Sequence, residues 1–65
     1  MNESINIKKE ILQACKDENW ERLRVIINED REIVIGAIRQ FQKNKWIDTR
    51  YKISDKGIQE LNNEN

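Results

Sequence analysis

Apolar residues recur every three or four positions through the first two thirds of the sequence, and this spacing restricts most of the chain to amphipathic helices. A first helix is predicted over residues 5 to 16. Ser4 or Asn6 is expected to cap its start through a side-chain oxygen. Its apolar positions are Ile7, Ile11, Leu12 and Cys15.

The same spacing predicts a second short helix over residues 20 to 27 and a third from Arg31 to about residue 44. Asn28 is predicted to end the second helix, because asparagine tolerates the left-handed backbone conformation. Asp30 is predicted to cap the third helix, since a carboxylate suits the positive end of the helix dipole. The expected core positions are Trp20, Leu23, Ile27, Val34, Ala37, Ile38 and Phe41.

After the third helix the apolar spacing changes from a helical period to an alternating one. Residues 46 to 47 and residues 51 to 53 are predicted as two short strands, connected by a turn over residues 48 to 50. Tyr51 and Ile53 fall on one face of the second strand, and the lysine between them falls on the other. The sequence therefore predicts a minimal β-hairpin.

A last helix is predicted over residues 55 to 62, with Ser54 as its cap. The predicted fold class is mainly α with a short β-hairpin, in the order α-α-α-β-β-α. A chain of 65 residues has room for one small core, so we expect a single domain. Residues 1–4 and 62–65 are expected to fray.

Charge and residue types exclude several classes of function. Twelve basic and twelve acidic residues cancel, so the overall field does not attract nucleic acid. Residues 38 to 57 nevertheless carry six basic and two acidic residues, a net charge of +4. The sequence has no histidine, no paired cysteine ligands and no glycine-rich phosphate loop. We expect neither an enzyme nor a bound metal or cofactor.

The single cysteine, Cys15, cannot form an internal disulfide, and no apolar run approaches the roughly 18 residues that a membrane span needs. We therefore expect a cytoplasmic protein without a membrane partner. Cys15 itself is predicted to be a small buried hydrophobe, because free cysteine is among the most often buried residue types.

Two stretches of the sequence resemble the winged helix-turn-helix superfamily of small bacterial and phage DNA-binding regulators. Residues 37 to 47, AIRQFQKNKWI, look like the end of a recognition helix. Residues 51 to 57, YKISDKG, resemble the strand-to-helix phrase of the MarR-like and PadR-like branches. The resemblance implies a winged helix-turn-helix fold and a transcriptional regulator whose third helix enters the major groove of double-stranded DNA.

The resemblance also implies which residues contact DNA. Arg39 would be the main reader of base edges, because arginine forms paired hydrogen bonds with guanine. Ile35 would contact a thymine methyl group, and the lysines and arginines after Arg39 would contact phosphates. The predicted site residues are Arg31, Ile35, Arg39, Gln40, Lys43, Lys45, Arg50 and Lys52.

Two questions about partners stay open at this point. One recognition helix binds DNA weakly, so a homodimer would be needed for specific binding. Alternatively, the same fold would serve as a protein-interaction module, such as an adaptor, an anti-repressor or a phage-type inhibitor, that binds a protein through the third helix. Ile35 and Gly36 favour this alternative, because such regulators usually carry polar or basic groups there.

Overall fold

The computed structural model describes residues 6 to 63, most of which lie in four helices. Helix α1 spans Ile7–Lys16, α2 spans Trp20–Glu29, α3 spans Arg31–Lys43 and α4 spans Asp55–Asn63. Helix α1 packs against the other three, and α2 also packs against α3. The order of the four helices agrees with the sequence prediction.

Asparagine side chains begin the first two helices. The side-chain oxygen of Asn6 accepts a hydrogen bond from the Lys9 amide, and that of Asn19 accepts one from the Arg22 amide, both at 3.1 Å. Each bond satisfies an amide that has no partner inside its helix. Asn6 is thus one of the two predicted caps. The other, Ser4, lies outside the described residues, as does the predicted start of the helix at residue 5.

A single residue, Asp30, separates α2 from α3. The predicted start of α3 at Arg31 is confirmed, but the predicted end of α2 at residue 27 is wrong. Asn28 is helical and not left-handed, and α2 continues to Glu29. Asp30 is the N-cap of α3, as predicted, with a non-helical backbone (φ −151°, ψ 73°), but its side chain makes no cap hydrogen bond.

The core lies where α1 meets the other helices, and no polar side chain is buried among residues 6 to 63. Trp20 was predicted in this core, but 43% of its surface is exposed. Ile26 takes the inward position instead, one turn after Leu23, and Ile27 lies half-buried beside it. The buried residues are Ile11, Leu12, Ala14, Cys15, Leu23, Ile26, Val34, Ile38, Phe41, Ile47 and Leu61.

Cys15 is buried in α1, as predicted, with 2% of its surface exposed. Burial raises the pKa of the thiol from 9.0 to about 11, because the charged thiolate loses its hydration there. The thiolate is the reactive form of cysteine. Cys15 therefore acts as a neutral packing residue at physiological pH.

The predicted β-hairpin is wrong, and with it the helix-and-hairpin fold class: no strand forms between residues 6 and 63. Ile47 and Ile53 make only an isolated antiparallel bridge. Lys45 and Tyr51 both have a φ of 67°, which lies outside the extended region that strands require. These two residues limit the pairing to the single bridge, and residues 44–54 form a compact connection, here named the 44–54 loop.

The carboxylate of Asp48 organises this loop. It accepts hydrogen bonds from the Arg50 amide at 2.8 Å and from the Lys52 amide at 2.9 Å. The Tyr51 amide donates to the Asp48 carbonyl oxygen at 3.0 Å. These local bonds compete with a strand ladder for the same amides, which explains why alternating side chains did not produce strands.

Helix α4 is fixed to the 44–54 loop by its first turn. The Ser54 hydroxyl accepts a hydrogen bond from the Gly57 amide at 3.1 Å and donates to the Lys45 carbonyl oxygen at 2.6 Å. The predicted Ser54 cap is therefore confirmed. Gly57 lies against the loop so closely that a Cβ atom there would come within 2.3 Å of the Trp46 carbonyl oxygen.

The predicted frayed ends are only partly described. Residues 1–4 and 64–65 lie outside the described residues. Residues 62–63, which were also expected to fray, belong to the last turn of α4. Helix α4 is therefore one residue longer than predicted.

Candidate nucleic-acid interface

The side of α3 that faces away from the core is open. Val34, Ile38 and Phe41 face the core. A Cβ atom on Gly36 would meet no other atom within 4 Å, so none of the described residues covers the helix there. A shallow concavity follows this side, here named the α3 face. Its lining residues are Arg31, Glu32, Ile35, Gly36 and Arg39.

Three predicted site residues lie together on the α3 face. Arg31, Ile35 and Arg39 follow one another at four-residue spacing, so they lie along one side of the helix over about 12 Å. The two arginines are exposed and Ile35 is half-buried. Glu32 adds a negative charge near Arg31, so the end of the face at Arg39 is the more positive one.

The 44–54 loop extends the surface beyond Arg39. The side-chain amide of Gln42, three residues after Arg39, donates to the Asp48 carbonyl oxygen at 3.2 Å. This bond places the loop beside the last turn of α3. Lys45 and Lys52 line one groove together with Gln42, so two predicted phosphate contacts lie next to the helix.

The basic residues of the predicted site are available to an external anion. Six of the predicted site residues are basic, and all six side chains are exposed. None of them takes part in an ion pair within residues 6–63, whereas Lys8 pairs with Glu60 and Arg22 pairs with Glu10. The six unpaired cations are Arg31, Arg39, Lys43, Lys45, Arg50 and Lys52.

Two predicted site residues lie apart from this surface. Gln40 precedes Gln42 by two residues, or about 200° around the helix, so it faces away from the loop. Arg50 lies on the other side of the loop from Lys45 and Lys52 and faces α2. The structure therefore brings together only part of the predicted set.

Two residues of this region were missed by the sequence prediction. Gln42 connects α3 to the loop through its bond to the Asp48 carbonyl oxygen. This contact depends on how the loop folds, so residue spacing in the sequence does not indicate it. Arg24 is exposed on α2 and lines a groove with Arg50. Arg24 follows Trp20 by four residues, and this spacing indicates that the side chains of Trp20 and Arg24 lie on one side of α2.

Neither a cluster of metal-ligand side chains nor a membrane-spanning helix is found among the described residues. No group of three or more histidine, cysteine, aspartate or glutamate side chains within residues 6 to 63 is arranged to hold a metal ion. No helix in that range is long and apolar enough to cross a bilayer.

Comparisons of the chain with protein families, with curated proteins and with solved structures find no match. Any assignment of function therefore depends on the chemistry and placement of the residues themselves.

Proposed function

We propose that the protein is a small DNA-binding transcriptional regulator that places α3 in the major groove, with the 44–54 loop on the phosphate backbone. The observation that carries the proposal is the row of exposed, unpaired cations along α3 and the loop. Unpaired cations favour DNA because each phosphate contact releases condensed counterions. The resemblance of residues 37 to 47 to the end of a recognition helix supports the same surface.

The shape of α3 suits this role. An α-helix is about 10–12 Å across with its side chains, and the major groove of B-DNA is about 12 Å wide. Gly36 contributes no side chain in the middle of the outward side, so the backbone of α3 can approach the base edges closely. A glycine inside a helix costs about 1 kcal/mol relative to alanine, and close approach is a physical reason to keep one there.

The position of each residue on the surface indicates whether it would contact bases or phosphates. Arg39 lies on the outward side of α3, where its guanidinium can reach the base edges and form paired hydrogen bonds with guanine. Ile35, one turn earlier and half-buried, offers an apolar contact for a thymine methyl group. Lys45 and Lys52 lie on the loop at the side of the helix, where the phosphates would run.

An amide chemical-shift titration of the labelled protein with mixed-sequence duplex DNA tests the proposal. At low salt we expect shifts concentrated in residues 31–52, and they should fade as salt is raised, because phosphate contacts weaken with ionic strength. Arg39→Ala should reduce these shifts. Arg22→Ala removes the same charge from a side chain that pairs with Glu10, so it is the matched control.

An unchanged spectrum at low salt would contradict DNA binding and leave the protein-interaction module as the better explanation of the surface. Shifts of equal size in both variants would remove Arg39 from the interface. Once a preferred sequence has been selected from random duplexes, Arg39→Ala should weaken binding to it more than binding to mixed DNA, whereas Lys52→Ala should weaken both equally.

A further inference from the structure

A second surface lies between α2 and the far side of the 44–54 loop. It is a groove of about 300 Å³, here named the α2 groove. Leu23 is buried, Ile27 and Tyr51 are half-buried, and the other lining side chains are exposed. The lining residues are Trp20, Leu23, Arg24, Ile27, Arg50 and Tyr51.

The residue types in the α2 groove are those that carry binding energy at protein interfaces. Tryptophan, tyrosine and arginine dominate such interfaces when their side chains are placed around a pocket. Trp20 leaves 43% of its surface exposed, although burial of its indole would add greatly to a core this small. Trp20 and Tyr51 are thus aromatic side chains that line a concave surface, and the half-buried Ile27 supplies an aliphatic contact there.

The charged residues that line the α2 groove are both basic. Arg24 and Arg50 both line it, and no acidic residue does. Neither arginine forms an ion pair with any residue between 6 and 63. A guanidinium binds a carboxylate through two parallel hydrogen bonds, so two of them beside an apolar surface complement an apolar side chain flanked by carboxylates.

We propose that the α2 groove binds an acidic segment of a partner protein. An aliphatic or aromatic side chain of that segment packs against Trp20 and Ile27, and neighbouring Asp or Glu carboxylates pair with Arg24 and Arg50. The aliphatic part of the lining favours a protein side chain over a nucleobase, since bases in single strands stack mainly on aromatic faces. This proposal goes beyond DNA binding and does not depend on it.

Selection of random heptapeptides on the immobilised full-length protein tests the proposal at physiological salt. We expect the enriched peptides to carry an apolar residue flanked by Asp or Glu. Synthetic copies of them should shift the Trp20 indole and the amides of Arg24 and Tyr51. Arg24→Glu should weaken their binding by at least about tenfold, because it replaces an attractive charge with a repulsive one.

Arg31→Glu is the matched control, because it makes the same charge reversal on the α3 face and should leave peptide binding unchanged. Trp20→Ser provides a second variant at an exposed position, and it should weaken binding without a change of charge. Absence of enrichment, enrichment of peptides without acidic residues, or equal loss with Arg31→Glu would overturn the proposal. So would shifts at Trp20 and Arg24 caused by a thymidine oligonucleotide and not by the peptides.

Discussion

Gly57 controls how closely α4 approaches the 44–54 loop. A Cβ atom there would lie 2.3 Å from the Trp46 carbonyl oxygen and 2.7 Å from Cγ1 of Ile53. The backbone oxygen cannot move without displacing the loop, so we expect Gly57→Ala to lower the free energy of unfolding by about 1–3 kcal/mol. Urea denaturation followed by circular dichroism measures the change.

Gly36 supplies the matched control for this substitution. A Cβ atom at Gly36 meets no other atom within 4 Å, so Gly36→Ala should raise the free energy of unfolding by about 0.5–1 kcal/mol through helix propensity alone. The two substitutions add the same methyl group to a helix and differ only in what surrounds it. Equal effects of the two would contradict the packing described for Gly57.

Because of Cys15, we expect the stability of the protein to fall at alkaline pH. Its pKa is raised from 9.0 to about 11 by burial, so the folded state holds the thiol proton more tightly than the unfolded state does. The resulting stabilisation is present in full below pH 9 and is lost as the pH rises through about 11. We expect the loss to be on the order of 2 kcal/mol.

Urea unfolding at several values between pH 8 and pH 11 measures this loss. Cys15→Ala is the reference, because it keeps a small apolar residue and removes the titrating group. The difference in unfolding free energy between the two proteins should shrink as the pH rises. Parallel curves would show that the thiol is accessible to water in the folded state.

The conformation of the 44–54 loop depends on the carboxylate of Asp48. The hydrogen bond from the Lys52 amide lowers the pKa of the Asp48 carboxyl group. The bond from the Arg50 amide lowers it further, by a smaller amount. A lowered pKa means that Asp48 stabilises the loop above the usual aspartate pKa and that this effect is lost as the pH falls through the lowered value. The amides of Arg50 and Lys52 should therefore titrate with a midpoint below 3.8.

Two substitutions at Asp48 separate its charge from its hydrogen bonds. Asp48→Asn keeps an acceptor oxygen, so the loop should persist and the acid titration of the two amides should disappear. Asp48→Ala removes the acceptor, and we expect faster hydrogen exchange at the amides of Arg50 and Lys52. Unchanged exchange in the alanine variant would mean that the bonds to the Asp48 side chain do not hold the loop.

The sequence predicted the helices better than it predicted the connection between α3 and α4. Helices α1, α3 and α4 follow from apolar spacing, and side-chain caps at Asn6 and Ser54 also mark the starts of α1 and α4, since both signals lie within one or two turns of the chain. The hairpin prediction failed because alternation at Tyr51 and Ile53 indicates which side chains face the core but not the backbone conformation. A left-handed φ at Tyr51 produces the same alternation of exposure without a strand.

At the scale of the whole molecule, the charges are balanced in number but unevenly distributed over the surface. The unpaired cations line α3 and the 44–54 loop, whereas Glu10, Glu29 and Asp30 line a different cavity together with Arg22. Glu32 and Asp48 also lie on the cationic surface, but the cations outnumber them there, so a neutral protein with this distribution still attracts a polyanion to that side. Net charge alone therefore does not argue against the proposed function.

Under the proposed function, one α3 would contact only a few base pairs, so we expect specific binding to involve two copies. We expect two protomers on a selected duplex, with half-sites about 34 Å apart, because successive major grooves on one side of DNA have that spacing. Analytical ultracentrifugation of the complex measures the stoichiometry. A complex of one protomer that still discriminates strongly between sequences would contradict this expectation.

The sequence by itself determined the helices, the burial of Cys15, the Ser54 cap and the alignment of Arg31, Ile35 and Arg39 on one side of α3. These properties depend on residues a few positions apart, whose relative placement the helical period fixes. Only the tertiary structure decided the form of the 44–54 loop, its attachment to Gln42 and the groove that Arg24 shares with Arg50. Those features join residues from separate elements, and their positions depend on how the helices pack and not on local spacing.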